Sequence, residues 1–301
     1  MKDYVVFSIS SNKKLAKDFA KFWNCQLGKV EVKKFADGEI LAKPLTDIAD
    51  KDVIIIESTA KKPNDCLMAI LMLLDSVNRN NAKSVTLVIP YLGYSRQERV
   101  NYPNEPISSE VMAKALETGK YDRLLTFDLH HPVIERFFSR GIKNVPSAEA
   151  FANYYFGYLK DNGISLNDVV IVSPDHGANT RTDMLMFRMR GVKKAILEKV
   201  RPETDQVEHL ELTGDVKDKT CIIYDDIIST GNTIISATKL LKKNGAKHVL
   251  VGATHGIFAK GAVGNILAAG VDDIAITNSI EQDVPDTVKA LDILQLIIEN
   301  I

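Results

Sequence analysis

The sequence contains little cysteine and tryptophan: three cysteines and one tryptophan occur among 301 residues. Cys25, Cys66 and Cys221 lack the spacing of a metal-binding cluster, and such an odd, sparse set is typical of reduced thiols in the cytoplasm. No apolar run reaches the roughly 18 residues of a membrane span, and the first residues lack a signal-peptide core. The net charge of −1 gives no general excess of positive charge. These absences predict a cytoplasmic protein without nucleic-acid or membrane partners.

The chain does contain enough apolar residues for a large core, because 45% of it is hydrophobic and 26% is charged. Short runs rich in valine and isoleucine predict strands at 4–8, 53–57, 84–89, 123–127, 169–172, 195–199, 221–224, 248–253 and 273–277. Amphipathic segments between them predict helices at 13–23, 65–78, 108–118, 149–161, 178–190 and 233–243. This alternation predicts an α/β fold of mainly parallel sheets flanked by helices.

A faint internal repeat divides the chain. The matching segments are KDVIIIEST with KTCIIYDDI (Lys51 at Lys219), NNAKSVTLVIP with NGAKHVLVGAT (Lys83 at Lys247) and YDRLLTF with VDDIAIT (Asp122 at Asp272). The offset is 164 for the second pair and 150 for the third, so the first half carries about 14 additional residues there. Two unrelated α/β units can also look alike at this level. The repeat predicts two similar domains, 1–146 and 147–301, with an inserted loop at 96–108 in the first.

The segment YDDIISTGNT at residues 224–233 places two acids at the end of a predicted strand. In open α/β sheets, ligands bind beyond the carboxyl ends of the strands. Asp225 and Asp226 suit sugar hydroxyls, because a carboxylate accepts several hydrogen bonds. The turn that follows offers N–H groups and hydroxyls to a phosphate, from Ser229, Thr230, Gly231, Asn232 and Thr233. The pattern predicts a site for a phosphorylated sugar; an ordinary capped helix start is the alternative.

This segment resembles the phosphoribosyl-binding loop shared by phosphoribosyltransferases and ribose-phosphate pyrophosphokinases. Seven further segments occur in the order found in the second family: FADGE, STAKKPNDCLM, PYLGYSRQER, FDLHH, VSPDHG, KVRP and THGIF. The resemblance covers nearly the whole chain. It implies two phosphoribosyltransferase-like domains, in agreement with the repeat.

The resemblance also implies an activity. Members of this family transfer the β,γ-diphosphoryl group of Mg-ATP to the C1 hydroxyl of ribose 5-phosphate, and the products are 5-phosphoribosyl 1-diphosphate and AMP. We therefore expect ATP and ribose 5-phosphate as substrates and Mg²⁺ as cofactor. The family pattern further implies a homo-oligomer of dimers assembled into a hexamer, in which the FADGE segment serves ATP bound by a neighbouring subunit.

Residue roles follow from the matching motifs. The resemblance implies ATP contacts by Phe35, Asp37, Gly38, Glu39, Arg96, Gln97 and Arg99. It implies ribose 5-phosphate contacts by Arg201, Asp225, Asp226 and the turn 229–233, and a metal-linked set of His130, Asp128 and Asp175. It makes Lys199 the principal catalytic residue and Arg201 its partner.

Each of these segments also has a structural interpretation when it is considered by itself. FADGE fits an ordinary Asp-Gly turn, and the segments around Arg96 and Lys199 fit solvated loops. His130 and His131 are adjacent, and neighbouring side chains of an extended chain point in opposite directions, so the two are not expected to share one ion.

Several residues depart from the family pattern. Ser229 replaces the third acid of the phosphoribosyl loop, Asn232 replaces a small residue, and Glu98 replaces a common aspartate. Asp47 and Ala49 replace a serine and an arginine that serve an allosteric phosphate or ADP site in the family, and the loop 100–104 has no basic residue. These departures predict weak activation by inorganic phosphate and weak inhibition by ADP.

Two other functions remain open from the sequence. A catalytically weak homologue that regulates an active synthetase would also depart from the family pattern, although Lys199, Arg201, His130 and Asp175 are retained. A phosphoribosyltransferase would share the phosphoribosyl loop, but it has no need of the FADGE and Arg96–Gln97 motifs of an ATP site.

Overall fold

The computed structural model describes residues 3–175, 177–200 and 209–301, apart from the side chains of residues 199, 200 and 209. It divides into two compact units. The first unit comprises Met1–Val145, Asn278–Gln282 and Ile293–Ile301, and the second comprises Pro146–Thr277 and Asp283–Asp292. The predicted division assigned all of 147–301 to one domain, whereas two C-terminal segments belong to the first unit here.

Strands and helices alternate along most of the chain, whereas residues 26–56 and 193–228 contain consecutive strands. The strands are β1 (Tyr4–Phe7), β2 (Gln26–Leu27), β3 (Val30–Lys34), β4 (Ile40–Pro44), β5 (Asp52–Ile56), β6 (Ser84–Ile89), β7 (Arg123–Phe127), β8 (Lys143–Val145), β9 (Val169–Ser173), β10 (Lys193–Val200), β11 (His209–Thr213), β12 (Thr220–Ile228), β13 (His248–Gly256), β14 (Asp273–Thr277) and β15 (Val288–Leu291). The α-helices are α1 (Lys13–Phe22), α2 (Pro63–Arg79), α3 (Ser108–Thr118), α4 (Ala148–Asp161), α5 (Asn179–Arg188), α6 (Asn232–Lys243), α7 (Ala262–Ala268) and α8 (Leu294–Ile298). Short 3₁₀ helices lie at Pro132–Phe137 and Leu166–Asp168.

The first unit is built on a parallel sheet with the strand order β2-β1-β5-β6-β7-β8. Its central strands are almost wholly buried, which explains why the sequence predicted them from continuous apolar runs. The strands β3 and β4 form a separate antiparallel hairpin. This hairpin was not predicted, because most of β3 is exposed and its sequence VEVKK has no continuous apolar run.

The second unit is built on the sheet β11-β10-β9-β12-β13-β14-β15, in which only the β10–β11 pair is antiparallel. Two separate apolar clusters cover its faces: one contains Ile223 and Leu241, and the other contains Ile222 and Phe151. Adjacent residues of β12 therefore point into different layers, as expected for a strand buried on both sides. The predicted α/β fold with parallel sheets flanked by helices is confirmed.

The repeat is visible in hydrogen bonds that occur once in each unit. Val85 N donates to Asp122 Oδ2 over 2.7 Å in the first unit, and Val249 N donates to Asp272 Oδ2 over 2.7 Å in the second. The strand order β1-β5-β6-β7-β8 also matches β9-β12-β13-β14-β15. The connection from β6 to α3 spans 90–107, whereas that from β13 to α7 spans 257–261. The β6–α3 connection is therefore much longer than the β13–α7 connection.

No helix in the described part of the chain has the length and hydropathy needed to cross a membrane.

Candidate active site

Two acids of β12 share one arginine in the second unit. The Arg181 Nη1 atom lies 2.9 Å from Asp225 Oδ1 and 2.9 Å from Asp226 Oδ1, and the side chains are 11%, 13% and 4% exposed respectively. The N–H group of Asp226 also donates to Asp225 Oδ1 over 2.9 Å. Burial, followed by the charge of Asp226, raises the pKa of Asp225 well above its usual range, and Arg181 opposes the rise only in part. Asp225 and Asp226 are thus both within hydrogen-bond distance of the same guanidinium nitrogen.

Asp175 lies on the connection from β9 to α5, beside this pair. Its Oδ1 atom accepts a hydrogen bond from Ala178 N over 2.9 Å, just before α5 begins at Asn179. Ser173 Oγ donates to the carbonyl oxygen of Asp175 over 2.7 Å, which fixes the turn. The charge of Asp175 also contributes to the raised pKa of Asp225. Three acids therefore meet at the carboxyl ends of the neighbouring strands β9 and β12.

The turn between β12 and α6 presents polar side chains that have no internal partner. Gly231 has φ of 82°, and a Cβ atom there would lie 2.8 Å from the side chain of Ile266, so the turn requires glycine. Within the described residues, four side chains of this turn make no hydrogen bond: Ser229, Thr230, Asn232 and Thr233. Free hydroxyls and the N–H groups at the start of α6 form an arrangement suited to a phosphate group.

Of the two predicted catalytic residues, Lys199 lies near the end of β10. The backbone of Lys199 pairs with Leu210, whereas its side chain and the whole of Arg201 lie outside the described residues. His176, for which the sequence supported no role, also lies outside them.

The FADGE segment forms the exposed turn of the β3–β4 hairpin in the first unit. Phe35 N donates to the carbonyl oxygen of Glu39 over 2.8 Å, and Asp37 Oδ1 accepts from Glu39 N over 3.1 Å. Gly38 adopts φ of 97°, which permits this tight turn. The ring of Phe35 is 41% exposed, and Lys33 Nζ lies 4.8 Å from its centroid. Phe35 and Glu39 thus project from the tip of the hairpin.

Arg96, Gln97 and Arg99 follow β6 in the inserted loop. Gln97 is partly committed to structure, because its Oε1 atom accepts from Ser108 Oγ over 2.5 Å and its carbonyl oxygen accepts from Ser109. It thereby ties the loop to the beginning of α3. Arg96 is exposed, and Arg99 Nε donates to Asn101 Oδ1 over 3.2 Å.

Asp128 and His130 follow β7, next to the strand that leads to Arg96. Asp128 is buried in a left-handed conformation with φ of 37°, and its N–H group donates to the carbonyl oxygen of Val145 over 3.2 Å. His131 Nδ1 accepts a hydrogen bond from Val133 N over 3.1 Å at the start of the 3₁₀ helix. Of the two adjacent histidines, His131 therefore has a local structural role.

Across residues 3–175, 177–200 and 209–301, no three or more His, Cys, Asp or Glu side chains form a metal-binding group. Mg²⁺, however, commonly takes one or two protein carboxylates and completes its shell with water and substrate phosphates. Asp225 and Asp226 supply two carboxylates that lie side by side at the end of β12. The carboxyl groups present in the second unit are thus of the kind that Mg²⁺ takes from a protein.

Sequence reasoning missed Arg181. The available signal was an arginine in the predicted helix 178–190, close behind Asp175 in the segment ANTRTD. A helical arginine is usually a surface residue, and nothing in the sequence links it to acids 44 positions later.

Comparisons with known proteins point to the same family in both halves of the chain. A family model described as the N-terminal domain of ribose phosphate pyrophosphokinase matches residues 4–119, and a model described as the phosphoribosyl synthetase-associated domain matches residues 176–301. The ribose-phosphate pyrophosphokinase of Bacillus subtilis is 38% identical over 280 residues, which cover 93% of this chain and 86% of the relative. That of Ureaplasma parvum is 36% identical over 295 residues, which cover 97% and 88%.

A solved structure agrees with the fold over the same length. The crystal structure of phosphoribosylpyrophosphate synthetase from Mycobacterium smegmatis matches with a TM-score of 0.90 and 29% sequence identity, covering 99% of this chain and 97% of that chain.

Proposed function

The chain belongs to the ribose-phosphate pyrophosphokinase family, and from this premise we propose that its second unit holds ribose 5-phosphate while ATP binds through the motifs of the first. The enzyme is a ribose-phosphate diphosphokinase. The C1 hydroxyl oxygen of ribose 5-phosphate attacks the β-phosphorus of ATP, and the bond from that phosphorus to the bridging oxygen of AMP breaks. The hydroxyl proton is released, and the products are 5-phosphoribosyl 1-diphosphate and AMP.

The sugar-phosphate assignment rests on one observation: two acids at the end of β12 are followed directly by a turn with free hydroxyls. The 5-phosphate is assigned to the turn 229–233, because its hydroxyls lack partners within the described residues and α6 begins there. The ribose hydroxyls are assigned to Asp225 and Asp226, which accept hydrogen bonds when ionised. Arg181 holds both carboxylates in place and limits their mutual repulsion.

Mg²⁺ is the proposed cofactor, and when bound it neutralises charge on the phosphate oxygens and orients them. Asp225, Asp226 and Asp175 are the proposed protein groups on the sugar side. Asp128 and His130 are the proposed groups on the ATP side.

The remaining rate acceleration is assigned to positive charge from the β10–β11 connection. Charge grows on the phosphoryl oxygens and on the leaving AMP oxygen, and phosphoryl transfer depends mainly on positioning and neutralising it. Lys199 is proposed as the principal catalytic residue, and Arg201 as its partner on the diphosphate and the sugar phosphate.

ATP is assigned to side chains that extend into solvent in a single chain. Phe35 would stack on adenine, Asp37 and Glu39 would accept hydrogen bonds from the base or the ribose, and Arg96 and Arg99 would bind phosphate oxygens. Gly38 shapes the turn, and Gln97 contributes the hydrogen-bonding capacity that Ser108 leaves free. An exposed hairpin tip suits ATP on a neighbouring subunit, so we propose a homo-oligomer.

The three cysteines are free thiols. We propose a cytoplasmic location, where such thiols stay reduced.

Weak regulation by phosphate and ADP is proposed from residue 47. The Asp47 carboxylate is exposed and accepts a hydrogen bond from Ala49 N over 3.2 Å. A fixed negative charge at this turn opposes anion binding, and no basic residue occurs in the loop 100–104 to offset it.

The deciding experiment is a coupled assay for AMP release from Mg-ATP, with and without ribose 5-phosphate. AMP release that depends on ribose 5-phosphate is expected, and Asp226→Asn should lower it. Binding of both substrates without AMP release would instead favour a catalytically weak regulatory homologue. Failure to bind ATP, measured by calorimetry, would favour a phosphoribosyltransferase.

A further inference from the structure

The two units contain equivalent strand pairs, which allows their binding edges to be compared residue by residue. In the first unit Val5 of β1 pairs with Val53 of β5, and in the second Val170 of β9 pairs with Cys221 of β12. The repeat offset of 168 also makes Val53 and Cys221 equivalent positions. The connection from β1 to α1 is therefore the first unit's counterpart of the connection from β9 to α5.

In this alignment of the two units, Glu57 is equivalent in position to Asp225, and Ser10 is equivalent to Asp175. In the second unit acids occupy both positions, and Arg181 contacts Asp225 together with the neighbouring Asp226. In the first unit, the single acid at these positions is held in a different way.

Glu57 is fully buried, and its carboxylate accepts hydrogen bonds from three successive backbone N–H groups. Ile9 N lies 2.9 Å from Oε2, and the N–H groups of Ser10 and Ser11 lie 3.0–3.1 Å from the two carboxylate oxygens. Ser10 Oγ adds a further bond of 2.5 Å. Consecutive N–H groups that converge on one point form an anion-binding concavity. Burial raises the pKa of Glu57, and these donors oppose the rise.

A second acid binds the first two N–H groups of α1, which follow this connection. Glu281 accepts from Lys13 N over 2.5 Å and from Lys14 N over 3.1 Å. Five of the six N–H groups between residues 9 and 14 therefore donate to carboxylates of the chain itself.

The hydroxyls that follow β5 are also committed to internal hydrogen bonds. Ser58 Oγ donates to the carbonyl oxygen of Ser279 over 2.6 Å and accepts from Tyr91 N over 3.0 Å. Thr59 Oγ1 accepts from Gly93 N over 2.6 Å. The corresponding turn of the second unit keeps its hydroxyls unpaired within the described residues. The first unit thus has the backbone arrangement of an anion-binding site, but its N–H groups and hydroxyls make hydrogen bonds within the chain itself.

We infer that the connection from β1 to α1 is an anion-binding loop whose anion is the Glu57 carboxylate, and that it becomes a site for a small carboxylate when this side chain is removed. In the native protein the Glu57 carboxylate already takes the three converging N–H groups of this loop, so they are not open to a phosphate or diphosphate group. The loop therefore binds its own glutamate where its counterpart in the second unit faces a cluster of acids.

The test is chemical rescue of Glu57→Ala and Glu57→Gly by formate or acetate. Loss of the carboxylate leaves the N–H groups of Ile9, Ser10 and Ser11 without their acceptor, and Ile9 is buried, so Tm should fall by roughly 5–10 °C. Thermal unfolding is followed by circular dichroism in sodium formate, sodium acetate or sodium chloride at equal ionic strength. Formate or acetate should restore at least half of the lost Tm in a saturable manner, and chloride should not.

Two controls separate binding from general salt effects. Wild type already contains the carboxylate, and in Glu57→Gln the amide still fills the space, so neither should show the formate-specific rise. An equal rise in these proteins, or no formate-specific rise in folded Glu57→Ala and Glu57→Gly, would overturn the inference. If neither variant accumulates in folded form, refolding from urea provides the same test: formate must raise the refolded fraction above that in chloride. Because every readout is unfolding or refolding, the result is independent of the proposed activity.

Discussion

Arg181 Nη1 lies 2.9 Å from Asp225 Oδ1, and the same nitrogen lies 2.9 Å from Asp226 Oδ1. One positive charge thus faces two carboxyl groups that are mostly removed from water. Burying such a cluster has a large desolvation cost. Removing one member destabilises the protein further, because it leaves a buried charge without its partner. This relationship determines the first two predictions.

Arg181→Met should lower the free energy of unfolding of the second unit by about 3–5 kcal/mol, because two buried acids lose their common partner. Urea unfolding measures this change. The matched control is Arg188→Met on the same helix, since Arg188 pairs with Glu149 at the surface, where the side chains are 49% and 46% exposed. That control should lose no more than about 1 kcal/mol. Equal losses in the two variants would contradict the role of Arg181.

The stability of the second unit should fall as the pH rises, through Asp225. The pKa of Asp225 is raised in the folded state. Above about pH 4, where the carboxyl group releases its proton in the unfolded chain, the folded protein therefore still holds that proton. The resulting stability is fully present below that pH and is lost as the pH rises through the folded-state pKa. Urea unfolding across this range should therefore show that the free energy of unfolding of Asp225→Asn rises relative to that of wild type as the pH increases. Asp183→Asn, which alters an exposed acid, should show no such trend.

Lys199→Ala should lower turnover by about 100-fold or more, because it removes a positive charge proposed to stabilise the transition state. KM for ribose 5-phosphate should change little. The control is Lys193→Ala, at the exposed beginning of the same strand, which should leave turnover near the wild-type value. Near-normal AMP release by Lys199→Ala would contradict the catalytic assignment.

Phe35→Ala should raise KM for ATP about tenfold, because stacking of an aromatic ring on a base contributes roughly 1–3 kcal/mol. KM for ribose 5-phosphate should stay unchanged. Val32 is an exposed apolar residue of the same hairpin but lies outside its turn. Val32→Ala is therefore the control, and steady-state kinetics in which both variants behave alike would argue against stacking.

The rate should depend only weakly on inorganic phosphate, because Asp47 places negative charge where the family binds an anion. Initial rates measured over a phosphate series at constant ionic strength should form a flat profile. Asp47→Ser should increase the response to phosphate. Strong activation of the wild-type enzyme would refute the proposal.

The sequence predicted the elements whose physical signal is local. Continuous apolar runs identified central strands such as β5 and β6, since burial on both faces leaves little room for polar residues. The β3–β4 hairpin escaped, because its exposed residues follow no continuous apolar pattern. Repeat offsets already aligned Glu57 with Asp225, but only the coordinates show which donors surround each acid.

Arg181 illustrates what local patterns omit. Its helix was predicted, yet its partners come from a strand far along the chain, and a side-chain contact of that kind leaves no periodic signature. The placement of Lys199 in a strand followed from the apolar run before it, whereas its proposed role depends on family resemblance.

The route of the chain near its C-terminus constrains its folding during synthesis. The segments Asn278–Gln282 and Ile293–Ile301 belong to the first unit, and Asp283–Asp292 returns to the second. The ribosome therefore makes the segments that complete both units only after residues 1–277. Until then α1 lacks the Glu281 carboxylate that accepts from Lys13 N, and Ser58 lacks the Ser279 carbonyl oxygen. The sheet of the first unit is complete once β8 has been made, yet that unit still waits for the segments after Thr277, and the second sheet waits for β15. Cleavage after Val145 would therefore separate the first unit from two of its own segments.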